Sequence, residues 1–233
     1  MKLYSMILPT LTLATNLLAT NSGSYPIEVL ETHSHPFERG GVLEIDGSYG
    51  ELIIEGWSSP TVKLKLEKRT NQSYPLSDHD EIKLELDRTL VAFRKNGNGG
   101  LRMETRLAGF HLWKRPLQGK TNLQLTYHLM VPRDTRLIIR HDVGLVKIRE
   151  VTGQLDVSNR LGELDVSLPA SHDSSIYARA RIGEVKSDFH PEARRKFLLG
   201  AELRDDAGSS SKRVELRIGI GAIKISKQKP EEI

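Results

Sequence analysis

From Gly40 onward, apolar and polar residues alternate with a period of two. Val42, Leu43 and Ile45 lead to Gly47, and Leu52 and Ile54 lead to Gly56-Trp57. Val62, Leu64 and Leu66 alternate with Lys63, Lys65 and Glu67; Ile82, Leu84 and Leu86 alternate with Lys83, Glu85 and Asp87; Leu123, Leu125, Tyr127 and Leu129 alternate with Gln124, Thr126 and His128. Successive side chains of a strand point to opposite faces, so this pattern predicts strands with one face buried. No window of similar length carries a clean helical period, and the expected fold class is all-β.

Two stretches break the alternation. Thr70 to Asp80 is polar and predicts a turn or loop. Residues 96–120 open on a Gly/Asn cluster and include Phe110-His111-Leu112-Trp113. Long loops on β scaffolds often carry function, and aromatic and Arg residues are favoured at interfaces. Phe110, His111, Trp113 and Arg115 are therefore the candidate interaction surface, with closure of an open end of the core as the alternative use of Phe110 and Trp113.

From Pro132 the chain repeats itself. Val143-Gly144-Leu145-Val146-Lys147-Ile148, Leu161-Gly162-Glu163-Leu164-Asp165-Val166, Ile182-Gly183-Glu184-Val185-Lys186 and Ile220-Gly221-Ala222-Ile223-Lys224-Ile225 share one pattern, with a weaker copy at Leu199-Gly200-Ala201-Glu202-Leu203. The glycines 144, 162, 183, 200 and 221 are spaced by 18, 21, 17 and 21 residues, and Thr152-Gly153-Gln154-Leu155-Asp156-Val157 is a half-step copy. Such a period predicts stacked coils, each too small to bury its own apolar face. Glycine would turn each corner, where φ > 0 or a close backbone approach excludes other residues. The expected architecture is a right-handed β-solenoid in the C-terminal half, with a β-sandwich as the alternative. Val146, Leu164, Val185 and Ile223 would form one internal ladder, and Gly162→Val would lower stability.

Several of these segments, in their order, resemble the adhesin-like domain family known as DUF4097. They are Gly50-Glu51-Leu52-Ile53-Ile54-Glu55-Gly56-Trp57 followed by Val62-Lys63-Leu64, then Tyr127-His128-Leu129-Met130-Val131-Pro132, the Gly-x-apolar repeats, and the close from Val214 to Ile225. The resemblance runs from about Gly40 to Ser226. It implies a β-helix-like fold in an exported or cell-surface protein and brings no catalytic residues. The chain departs from the family pattern at Ile220, where a polar residue usually stands between the two glycines.

The N-terminus adds a compartment. Lys2 precedes an uncharged, mostly apolar stretch from Leu3 to Ala19, and small residues follow to Ser24, which predicts a signal peptide over residues 1–22. Residues 23–39 form an extended lead-in containing His33-Ser34-His35, read as a solvated pair because no third metal ligand is in place. The main unit is 40–227, divided into strands over 40–131 and the repeat over 132–227, with a tail at 228–233. No second long apolar run would hold the mature chain in a membrane. The protein is expected in the periplasm, on the cell surface or secreted. It has no cysteine, which removes disulfides, thiolate zinc sites and cysteine nucleophiles.

Charge does not indicate a nucleic-acid binder. The 34 basic and 30 acidic residues of the 233-residue chain are interleaved, whereas such binders concentrate basic residues on one face. Nucleophile elbows, phosphate loops and zinc-protease motifs are absent, and no cofactor is expected. The carboxylates to weigh for glycan cleavage are Asp156 with Asp165 and the Asp205-Asp206 pair. The reading is an exported adhesin-like structural or interaction protein without catalysis, whose partner is an unknown envelope protein or glycan. The alternatives are a polysaccharide-binding or polysaccharide-cleaving β-helix protein, and a polyanion-binding module using Arg136, Arg140, Lys147, Arg149 and Arg160.

Overall fold

The computed structural model describes residues 24–96, 100–107, 123–171, 173–189, 194–196, 199–205 and 212–228. Its strands are β1 (Tyr25–Pro36), β2 (Val42–Trp57), β3 (Thr61–Tyr74), β4 (Thr89–Lys95), β5 (Leu101–Leu107) and β6 (Leu123–Pro132). They continue with β7 (Arg136–Arg149), β8 (Leu155–Leu168), β9 (Ser175–Ser187), β10 (Arg194–Lys196), β11 (Gly200–Asp205) and β12 (Arg213–Lys227). Among the described residues there is one helix, α1 (His79–Asp87), which follows a 3-10 turn at Leu76–Asp78. The strands join in one large mixed sheet ordered β1-β3-β6-β2-β7-β8-β12-β9-β11-β10, with the β4–β5 hairpin attached through β5 to β2.

Five long strands form the centre. β2, β7, β8, β12 and β9 pair in parallel and in register, so that Gly50, Gly144, Gly162, Gly221 and Gly183 lie side by side. These glycines have φ between 101° and 140°, a region that L side chains avoid. Space excludes a side chain as well. A Cβ on Gly162 would lie 2.0 Å from the Gly144 carbonyl oxygen, and one on Gly221 would lie 1.8 Å from that of Gly162.

The glycine row also resets the pleat. In β7, Leu137, Ile139 and His141 are buried before the bend, and Val146 and Ile148 after it. Strict alternation would have put Val146 on the outside. The bend shifts the phase by one residue, so both arms of the strand turn their apolar side toward the same interior. The same shift recurs in β8, where Leu155, Val157 and Asn159 precede Leu164 and Val166.

The internal ladder expected from the repeats is present, in the order Val146, Leu164, Ile223, Val185. That order differs from the simple coil-on-coil stack, because β12 inserts between β8 and β9. The weak fifth copy does not belong to the glycine row. Gly200 starts β11, which runs antiparallel to β9, and it pairs with Lys196. Next to the glycine row, Tyr49, Val143, Leu161, Ile220 and Ile182 form another in-register row. Ile220 is 50% exposed there, so an apolar residue stands at a solvent-facing position.

Three local expectations are corrected. The alternating segment Ile82-Leu84-Leu86 is helical rather than extended. Ile82 and Leu86 are four residues apart and share the face that packs on the core, whereas Leu84 is 67% exposed. Asp80 and Glu81 in the first turn suit the positive end of the helix dipole. Residues 70–74 continue β3 instead of forming a loop. The lead-in contributes β1, which pairs along β3 from Tyr25 to Pro36. Its His33 and His35 are half-buried and stack toward Phe93, with ring centroids 5.9 and 4.4 Å apart, so they are not a solvated pair. Lys68, fully buried on β3, anchors this edge by donating to Glu31 of β1 and to the Thr89 carbonyl at 2.7 Å.

Candidate functional site

The outer side of the central strands carries the site. Arg140, Ser158, Arg217 and Arg179 occupy one register row across β7, β8, β12 and β9. Two positions further along the same strands stand Asp142, Arg160, Gly219 and Arg181. The small residues Ser158 and Gly219 fall in the middle and the arginines surround them. The result is an open groove of about 700 Å³. Gly219 has a structural reason to be small, since a Cβ there would lie 2.5 Å from the Arg160 carbonyl oxygen.

The five arginines are not equivalent. Asp156 accepts from Arg140 through both carboxylate oxygens at 3.2 Å and from Arg217 at 3.5 Å, and Arg217 also reaches Glu215. Arg160 lies 3.8 Å from Asp142. Asp46, at the groove's edge, is held by Arg102 at 2.6 Å. Arg179 and Arg181 have no ion-pair partner among the described residues. Glu202, which faces Arg179 across β9 and β11, is bonded to Arg204 at 3.0 Å. The groove therefore combines three guanidiniums oriented by carboxylates with two that have no such partner among the described residues. Planar guanidinium forks match carboxylate, sulfate and phosphate oxygens in pairs.

Beneath the groove is a buried polar rung. Ser48, His141 and Asn159 are neighbours in β2, β7 and β8. His141 Nε2–H donates to the Gly50 carbonyl at 3.1 Å, so the neutral ring accepts at Nδ1 from the Ser48 hydroxyl at 2.6 Å. Asn159 Nδ2 donates in the same way to the Gly144 carbonyl at 2.9 Å. Burial drives the His141 pKa down to about 4. The pairing looks like that of a serine nucleophile and its base. Ser48 is fully buried, however, and the histidine's other nitrogen is engaged by backbone, so the rung serves to satisfy glycine carbonyls at the bend.

The carboxylates considered for glycan cleavage do not converge. Asp156 and Asp165 sit on opposite arms of β8, one between Arg140 and Arg217, the other flanked in register by Lys147 and Lys224. Asp205 is buried at the end of β11, and Asp206 lies outside the described residues. No cluster of three potential metal ligands occurs among the described residues.

Phe110, His111, Trp113 and Arg115 also lie outside the described residues, as does the segment 1–22. Of the cations first considered for a basic stripe, Arg140 and Arg160 are in the groove. Lys147 and Arg149 belong to the other arm of β7, and Arg136 to its start. Arg179, Arg181 and Arg217 complete the set instead. All five groove arginines stand two or four positions before a repeat glycine, a spacing shared by Arg140, Arg160, Arg179, Arg181 and Arg217. Among the described residues, no helix is long and apolar enough to cross a membrane.

The chain is similar in fold to a solved structure described as a putative cell adhesion protein from Clostridium sporogenes. Identity is 14%, with 88% of this chain and 100% of that chain covered and a TM-score of 0.53. A structure described as a putative adhesin from Bacteroides fragilis aligns at 12% identity over 84% of this chain and 97% of that one, with a TM-score of 0.34. No family model and no curated protein matches the chain.

Proposed function

We propose that this chain is an exported, non-catalytic interaction protein of the cell envelope, a divergent relative of the DUF4097 group. Its parallel stack works as a rigid, solenoid-like scaffold that presents the arginine groove to a partner. The observation that carries this reading is the groove itself. Two guanidiniums without an ion-pair partner among the described residues and three oriented ones surround small residues on four strands whose register is locked by glycine. Side chains on such strands bind with little reorganisation. The apolar stretch from Leu3 to Ala19 and the lack of cysteine support export. The fold shared with the Clostridium protein agrees with an interaction role.

The test is site-specific photocrosslinking from position 158 of the full chain in its own cells, followed by envelope fractionation. A discrete adduct in the envelope fraction is expected, and it should disappear in the Arg179→Gln/Arg181→Gln double variant. Recovery of the protein in the cytosolic fraction, or no adduct from position 158, would refute the proposal.

A further inference from the structure

We infer that the groove's occupant is an acidic polysaccharide, held through repeated carboxylate, sulfate or phosphate groups. This rests on the groove being the binding face and goes on to identify the ligand chemistry. Adjacent strands lie about 4.8 Å apart and alternate residues of a strand about 7 Å apart. Arg179 and Arg217 are thus one strand apart, Arg179 and Arg181 two residues apart, and Arg140 lies two strands from Arg217. The cations cover a patch about 15 Å wide from β7 to β9. A single small anion would meet two or three of them. Engaging all five requires acidic groups carried at intervals along a chain.

Other polyanions fit less well. Single-stranded nucleic acid is held by aromatic stacking platforms, and no Trp, Tyr or Phe among the described residues lines the groove. The nearby Tyr177 ring is covered by the Arg204 guanidinium at 5.1 Å. A bilayer surface would need a flat or convex face, whereas here the small Ser158 and Gly219 make a depression. Asp46, Asp142 and Asp156 among the arginines also disfavour a uniformly charged surface and suit a ligand that alternates charged with neutral hydroxylated positions. Sugar hydroxyls can meet these carboxylates as donors while the acidic groups meet the arginines.

The experiment measures binding of the full chain to heparin and to polygalacturonate, as sulfated and carboxylated probes, with dextran as a neutral control. Oligo-dT and anionic phospholipid vesicles represent the other polyanions. Both acidic glycans should be retained at low salt and dextran should not. Arg179→Gln/Arg181→Gln should weaken glycan binding by about tenfold or more and reduce its salt dependence. Lys63→Gln/Lys65→Gln removes the same charge from exposed positions on β3 and should change binding by less than about threefold. Melting curves confirm that both variants fold, which is expected because all four side chains are exposed. Equal weakening by both variants overturns the inference, as does retention of DNA or vesicles in preference to the glycans, or no retention of either glycan. A position-158 adduct to a protein, lost in the arginine variant while neither glycan binds, leaves the groove as the binding face and overturns only the glycan.

Discussion

Gly162→Val probes the glycine row that runs through the five central strands. Gly162 has φ +134° and sits between Gly144 and Gly221 in the glycine row. A β-branched residue held in that region of φ costs of order 1–3 kcal/mol in backbone strain. Its Cβ would also start 2.0 Å from the Gly144 carbonyl oxygen and 2.8 Å from the carbonyl carbon. Backbone cannot rotate away as a flexible side chain would. β7 and β8 must separate locally, at an overpacking cost of about 1–3 kcal/mol or more. The two terms together remove about 2–6 kcal/mol from a domain whose total stability is of order 5–15 kcal/mol. At about 2–4 °C per kcal/mol for a chain of this size, Tm should fall by about 4–24 °C, with the middle of that range expected. Gly40→Val is the internal control, since Gly40 has φ +68° with nothing within 4 Å of an added Cβ. It carries strain without collision, so its drop in Tm should be clearly the smaller. Thermal unfolding followed by circular dichroism reads both. Equal losses for the two variants, or a Gly162→Val melt within a few degrees of wild type, would refute the claim that close contact between glycines holds the stack in register.

Two further outcomes follow from buried groups. His141 titrates near 4 in the folded protein against an ordinary 6.5, so between those values the unfolded chain binds a proton that the native state excludes. Its contribution is constant above pH 6.5 and turns against folding as pH falls toward 4, by about 3 kcal/mol in total. His141→Asn, which copies Asn159 of the next strand, should flatten that part of the difference when urea unfolding is compared at pH 7 and pH 4.5. An unchanged pH dependence in the variant would rule out His141 as its source. On α1, Leu86→Ala should cost about 2–3 kcal/mol and Leu84→Ala less than about 0.5 kcal/mol. A strand with both residues on one face would make the two losses equal, so denaturant midpoints distinguish the arrangements.

Local rules made much of this fold legible in the sequence. Alternating burial follows from the two-residue period of a strand, and the recurring glycine marks a backbone state that no other residue adopts cheaply; neither depends on which strands become neighbours. The inward ladder of Val146, Leu164, Ile223 and Val185 was readable for that reason. The segment 82–86 was not, because two apolar residues four apart with a third between them satisfy a strand and a helix equally. Packing against β1, β3 and β4 selected the helix.

Neighbour order was decided only in three dimensions. Residues 213–227 insert between β8 and β9, a long-range pairing that no local pattern encodes, since every central strand carries the same two apolar arms and the same glycine. That insertion builds the groove. Arg217 arrives beside Arg179 and Ser158, and Gly219 arrives between Arg160 and Arg181, from a strand that starts at Arg213, 26 residues beyond the end of β9 at Ser187. Single arginines on wet strand faces are ordinary, and their spacing before the repeat glycines did not by itself show which of them would meet. Their convergence around two small residues is a property of the sheet, because charge density depends on distance in space and the chain specifies only distance along itself.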